Sequence, residues 1–369
     1  MAAALAGGEI ALRASWCSSP AARYEHQSRP FLSSNPYWGV WHFPRNEVRH
    51  HAPCFDALYR TNELGMRGGP IRPGGRRIAL LGDSFVEGMG NDEDEIAAHF
   101  LGERLGPEFQ VLNFGVSGYF STIDELVLYD NFARFFDPEI VILFFLNYND
   151  LEDLLDPVKE QFIDRDLNFV YRRVETRDEI LTAVSEQEAP DGAERRESRW
   201  CIVRLLYFGG RALGQQLQAW VNLRWDLRRA LARPYIPEED AKARRAWAIV
   251  ETSLARLHAL TRARGTKLVV VDIADPYQLD PNWLQLTSLR SGVALSPHHP
   301  GRRLGEICAK LGIAHYYDMF DDAQAYVRER GLGFPGLSFR CDRHYGREGQ
   351  ELMANLVFRY LQSEGLVDR

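Results

Sequence analysis

Cysteine is scarce in this 369-residue chain, with five residues at positions 17, 54, 201, 308 and 341. They form no Cys-x-x-Cys pair and no cluster of ligand spacing, which speaks against a zinc site and against a small disulfide scaffold. One long-range disulfide, for example Cys54 with Cys341, remains compatible with an oxidising compartment. An excess of basic charge is also missing. The formal net charge of −7 opposes nucleic-acid binding by phosphate neutralisation. The arginine-rich runs at 195–199 and 224–233 are the candidates for a local basic patch, and they read more simply as solvated helix faces. No apolar run reaches membrane-spanning length. The amino terminus, MAAALAGGEIALRASW, has a short apolar stretch without a basic leader, so the literal expectation is a soluble, unexported chain. Gly82, Gly88 and Gly90 do not reproduce the Gly-x-Gly-x-x-Gly spacing of a nicotinamide site. Neither a cofactor nor a metal is therefore expected.

What is present is ordinary for a globular protein: 45% hydrophobic and 26% charged residues, in a chain long enough to bury a core without metals. Residues 1–75 are rich in aromatics, proline and histidine without sustained periodicity and are expected to form an irregular arm packed on the core. From residue 76 the pattern becomes regular. RRIALLGD, FQVLNFG and EIVILFFLN read as strands, the last too apolar to have a wet face. Between them, DEDEIAAHFLGERLG and STIDELVLYDNFARFF carry helical spacing, the second behind a Ser121 or Thr122 cap. A helix around 240–264, the strand TKLVVVDIA, a variable region near 275–300, a helix over 302–311, the strand IAHYYDM and a final helix in GREGQELMANLVFRYLQSEG continue the alternation. The pattern predicts an α/β fold: a three-layer α/β/α sandwich with a mostly parallel, flavodoxin-like sheet of about five strands. Residues 76–150 and 240–369 make one domain, and 151–239 a largely helical insertion near the active-site mouth.

Three strand ends and one late loop carry the chemistry. Strand, Gly82-Asp83-Ser84, then a turn and a helix places a hydroxyl at the carboxyl edge of the sheet, where α/β proteins open their crevices. Alone, this reads equally well as an Asx-type turn. The second strand ends in NFGVSGYFS, where Gly118 lets the backbone approach closely and present its N–H. The third ends in LNYND, which brings the Asn149 amide to the same crevice as a donor to a developing oxyanion. CDRHYGREGQ supplies Asp342 two residues before His344. A carboxylate at that offset can fix the imidazole tautomer while the other ring nitrogen faces Ser84. Asp83 and Asp150 read as turn supports, His298-His299-Pro300 as a surface loop, and Arg67 as a structural salt-bridge partner.

Taken together, GDSFVEG, NFGVSGY, LNYND and DRH resemble the four blocks of the SGNH or GDSL hydrolase family, carried here by Ser84, Gly118, Asn149 and His344 with Asp342. The likeness covers residues 76–149 and 266–362. NELGMRG upstream is similar to a segment that precedes the nucleophile block in a bacterial branch of the family. Two departures stand out. Asn147 occupies the glycine position of Gly-x-Asn-Asp, so it competes with Asn149 for the donor role. The last block reads Asp-x-His rather than Asp-x-x-His, a spacing that also resembles carbohydrate O-acetyltransferase relatives. The resemblance implies a serine esterase forming an acyl-enzyme on a small acylated substrate, a carbohydrate ester among them. The alternatives are an O-acyltransferase of the same type and a non-catalytic binding protein that kept the fold. GEIALR is similar to the end of an anchor segment in relatives of the NELGMRG branch, so the resemblance implies an exported or anchored full-length form as an alternative to the literal reading.

Overall fold

A computed structural model describes residue 11 and residues 26–28, 30–118, 120–187, 232–332 and 336–368. Its centre is a five-stranded sheet of β6 (Arg76–Gly82), β7 (Phe109–Gly115), β8 (Ile140–Phe145), β9 (Lys267–Asp272) and β10 (His315–Asp318), in the order β10-β9-β8-β6-β7. Every pairing in it is parallel. Numbered within the sheet, this is the 2-1-3-4-5 order of a flavodoxin-like sandwich, whose chain reverses direction of growth between β6 and β8. All six residues of β8 are buried, as a central strand covered on both faces requires.

Alternate residues supply the two faces. Ile78, Leu80, Ile142, Phe144, Val269 and Val271 pack with helices α2 (Ala97–Leu105), α9 (Phe320–Glu329) and α10 (Arg347–Ser363). Ala79, Leu81, Val141, Leu143, Phe145 and Val270 pack with α3 (Thr122–Asn131), α6 (Ala241–Ala263) and α8 (His299–Leu311). The molecule is therefore an α/β/α sandwich. At the start of α3, one Asp124 carboxylate oxygen accepts the Ser121 N–H at 2.9 Å and the Ser121 hydroxyl at 2.8 Å, which satisfies the amide at the helix start.

The amino-terminal arm is more regular than expected. β1 (His26–Gln27), β4 (Glu47–Ala52) and β5 (Phe55–Arg60) form one antiparallel sheet, and β2 (Leu32–Asn35) pairs with β3 (Gly39–His42). β4 does alternate between exposed and buried residues, but one of its inward side chains is His50, so a search for apolar periodicity passes it by. The arm anchors on the α3 side: the Trp38 ring stacks on Phe132 at 5.2 Å, and Trp41 meets the same ring edge-on at 5.4 Å.

Where it is described, the insertion contributes to the core. Helix α4 (Asn147–Asp153) starts before it and a helical turn, Pro157–Gln161, and α5 (Arg177–Ser185) follow. Leu151, Leu154, Phe162, Ile163, Val174, Ile180 and Val184 join the same core as Trp38 and Trp41. Among the described residues, none from 151 to 187 lines the cleft described below. Residues 188–231, which include the expected amphipathic helices and nearly all of both arginine-rich runs, lie outside the described residues. Two further helices had not been expected: α7 (Pro281–Ser291), inside the variable region, and α9. Among the described residues, no helix is long and apolar enough to cross a membrane.

Candidate active site

β6 ends at Gly82, and the chain turns at once into the short helix α1 (Ser84–Glu87). Asp83 caps it: one carboxylate oxygen accepts the Phe85 N–H at 2.9 Å. Ser84 is consequently the first helical residue, and the N–H of such a residue has no acceptor within its own helix. The neighbouring strand must fit closely here. A Cβ at Gly115, the last residue of β7, would lie 2.2 Å from the Glu87 nitrogen, so only glycine permits the contact. Three residues on, Gly118 has φ +111°, a conformation that L side chains rarely adopt. The turn can therefore bring its backbone to the edge of the sheet.

His344 comes from the loop before α10. Its Nε2 lies 2.7 Å from Ser84 Oγ, and its Nδ1 hydrogen-bonds Asp342 Oδ1. The same Oδ1 accepts the His344 backbone N–H at 2.9 Å. Burial by itself would disfavour the imidazolium, but the hydrogen bond and charge of Asp342, with Asp83 and Glu87 adding to the field, hold the imidazole pKa above its ordinary value. Asp342 feels the reverse balance. Burial would raise its pKa, yet the bond and charge of His344 hold the carboxyl below the ordinary aspartate value.

Asn149 lies on α4, just beyond β8, and its Nδ2 donates to the second carboxylate oxygen of Asp83 at 3.0 Å. One amide hydrogen is thereby fixed; the other remains for a ligand. Asn147, the competing residue, is fully buried and donates to Asp272 at 2.7 Å. It does not line the cleft. Ser84, Gly118, Asn149, Asp342 and His344 all do, together with Phe85, Met89, Tyr148, Tyr277, Phe339, Arg340, Cys341 and Arg343, around a volume of about 570 Å³.

Sequence reasoning missed the wall of that cleft. Tyr148 and Tyr277 stand ring to ring at 4.8 Å, and the Arg343 guanidinium lies 3.8 Å over Tyr277. Tyr148 and Arg343 sit inside the LNYND and DRH blocks, so adjacency was the available signal. Tyr277 follows the fourth strand and had none. A second omission is Glu87. Its carboxylate is buried, bonds His42 Nε2 at 3.0 Å and accepts the Ser117 N–H at 2.5 Å, which ties the Gly118 turn to the amino-terminal arm. Despite burial, these bonds and the nearby charges hold its pKa below the ordinary value.

The remaining candidates are structural. The Arg67 guanidinium is fully buried and bonds Glu93, the Glu87 and Gly88 carbonyls, and Asn91 O. His298 and His299 begin α8 and do not line the cleft. Among the described residues, no group of three or more His, Cys, Asp or Glu side chains is arranged to hold a metal ion. Beneath the cleft, Asp83, Glu125 and Asp150 lie within mutual electrostatic reach; burial first, and then repulsion within the group, raises the pKa of Glu125 and Asp150 well above ordinary values.

No family model matches this chain, and no curated protein matches it. Among solved structures, it is similar to TesA (14% identity, TM-score 0.40, covering 78% of this chain and 99% of that one). It is similar also to a lipase/acylhydrolase from Enterococcus faecalis (13%, TM-score 0.38, covering 78% and 96%). A third is an Axe2 mutant, an acetyl-xylooligosaccharide esterase from Geobacillus Stearmophilus (11%, TM-score 0.41, covering 78% and 94%). At these scores and identities the likeness decides nothing about activity, and the sandwich rests on the strand order and register of this chain itself.

Proposed function

We propose that the chain is a serine-dependent ester hydrolase of the SGNH or GDSL type, acting through an acyl-enzyme. The observation that carries this reading is the Ser84 Oγ to His344 Nε2 contact of 2.7 Å, backed by Asp342 and placed at the switch point of the sheet. His344 takes the Ser84 proton as Oγ attacks the ester carbonyl, and Asp342 stabilises the imidazolium. The Ser84 and Gly118 N–H groups and the Asn149 amide receive the oxyanion. The alcohol leaves with the proton from His344, and water attacks the acyl-enzyme by the same route to release the acid. Asp83 helps from behind, since its bond to Asn149 leaves that amide one hydrogen and one direction for it.

The cleft supports a choice of substrate class. It opens to solvent, and Asn149, Arg340 and Arg343 line it beside the aromatic faces of Phe85, Tyr148, Tyr277 and Phe339, a mixture of hydrogen-bond donors and ring faces that suits a ring-shaped, polar alcohol. An acetylated or similarly short-acylated carbohydrate is the substrate proposed. Ready access of water favours hydrolysis over transfer to a second sugar. A non-catalytic binding role would be favoured by a Ser84 turned away from His344 or by a sealed cleft, and the geometry is the opposite of both.

Intact mass after exposure to a small fluorophosphonate tests the reading. One adduct is expected on the parent protein, none on Ser84→Ala, and slow formation on His344→Ala. A folded parent protein that stays unlabelled would overturn it.

A further inference from the structure

Asp342 is held in an unusual way. Among the described residues, both hydrogen bonds of its carboxylate come from His344, two residues away in the same loop. They lock the two side chains to each other and leave their common position over Ser84 to be set by something else. The base of the loop is well fixed: Gly346 N donates to Leu337 O at 2.9 Å, Phe339 N to His344 O at 3.0 Å, and Asn91 Nδ2 to the Tyr345 carbonyl at 2.8 Å. Its tip, with Arg340 and Cys341, is exposed. That tip is bonded covalently to the arm. Cys341 forms a disulfide with Cys54 across 287 positions of sequence, and Cys54 lies in the Pro53-Cys54 turn between β4 and β5, whose flanking residues Ala52 and Phe55 are paired. Phe55 also packs its ring on Phe339 at 5.1 Å.

We infer that the Cys54–Cys341 disulfide is a positioning device for the proposed reaction: it fastens the Asp342–His344 pair to the arm and thereby sets the imidazole over Ser84. The inference rests on the hydrolase reading above. With the bond reduced by an added phosphine, two thiols replace it, and the covalent tie between the loop tip and the arm is gone, leaving its base, the Phe55–Phe339 contact and the packing of Arg343 on Tyr277 and of His344 on Phe85. The pair can then move as a unit away from Ser84 while the sandwich stays folded.

The test uses the full chain and 4-nitrophenyl acetate, comparing the oxidised protein, the protein reduced with a phosphine and alkylated under native conditions, and the Cys54→Ser, Cys341→Ser double variant. The expected result is a fall in kcat of tenfold or more with KM within twofold, slower fluorophosphonate labelling of Ser84, and full recovery when a reduced, unalkylated sample is reoxidised. Far-ultraviolet circular dichroism should be unchanged throughout. Equal kcat and labelling rate in the oxidised and reduced forms would overturn the inference and leave the hydrolase reading intact. Loss of the circular dichroism signal on reduction would overturn it too, because the bond would then serve general stability. An oxidised protein that neither labels nor turns over would defeat both readings.

Discussion

Replacing Asp342 by asparagine separates the charge of that residue from its geometry. Both bonds from His344 end on one oxygen, Oδ1, so an amide that keeps its carbonyl oxygen there can still accept both and preserve the imidazole tautomer. What disappears is the negative charge beside a ring that becomes positive during the reaction. A unit-charge pair about 4 Å apart at an effective dielectric near 20 interacts by about 4 kcal/mol. About a quarter of each side chain is exposed (22% for His344, 24% for Asp342), which reduces this to about 2–3 kcal/mol, or roughly a hundredfold in kcat. The pH profile gives a second signature. His344 must be neutral to accept the serine proton, so activity rises with pH through its pKa, and Asp342 holds that pKa above the ordinary histidine value of 6.5. Asp342→Asn should therefore lower kcat about a hundredfold by this estimate and move the acid limb of kcat/KM to lower pH. Steady-state kinetics on 4-nitrophenyl acetate from pH 5 to 9 reads both. An unchanged acid limb would refute the electrostatic reasoning, even if kcat fell.

Other outcomes follow from neighbouring groups. Asn149→Ala should reduce kcat by about a hundred- to a thousandfold, as for loss of one oxyanion donor, while fluorophosphonate mass shifts still locate Ser84; an undiminished kcat would remove Asn149 from the donor set. Glu125 keeps its proton in the folded state at a pH where the unfolded chain has lost it, so stability should fall as pH rises above the ordinary glutamate value, by up to about 1.4 kcal/mol per pH unit for one proton. Urea unfolding of Glu125→Gln at pH 5 and pH 8 should show a smaller difference than the parent protein. Trp38→Ala removes a fully buried ring stacked on Phe132 and should cost about 3–5 kcal/mol, read from the same unfolding curves.

The parts of this molecule that could be read from sequence are those in which local pattern and global role agree. β8 is apolar throughout because it is covered on both faces, and of the two cap residues read from sequence, Ser121 and Thr122, it is Ser121 that precedes the helix. Three motif blocks stand at strand ends and the fourth in the loop before the last helix, and Ser84, Gly118, Asn149, Asp342 and His344 line one cleft. Where pattern and role part, the reading failed. The arm's strands are four to six residues long apart from the brief β1, and one inward position is a histidine. α9 buries only Phe320 and Ala323, too sparse a stripe to recognise. The charged look of residues 151–187 concealed widely spaced apolar residues that reach the common core. Sequence favours Asn149 over Asn147 because it immediately precedes Asp150, but what engages Asn147 was beyond sequence, since its partner Asp272 lies over a hundred residues away.

The arm has a consequence for modularity. A fragment starting at residue 76 would contain every strand of the central sheet and all five proposed site residues, and a domain boundary drawn from motifs alone would favour it. Yet it would lose the partner of Cys341, the His42 that holds Glu87 against the Ser117 amide, and the two tryptophans that cover Phe132. The smallest autonomous unit is therefore larger than the smallest unit that contains the chemistry. Shuffling or trimming this domain at the edge of its motifs would separate the reacting groups from the scaffold that aims them.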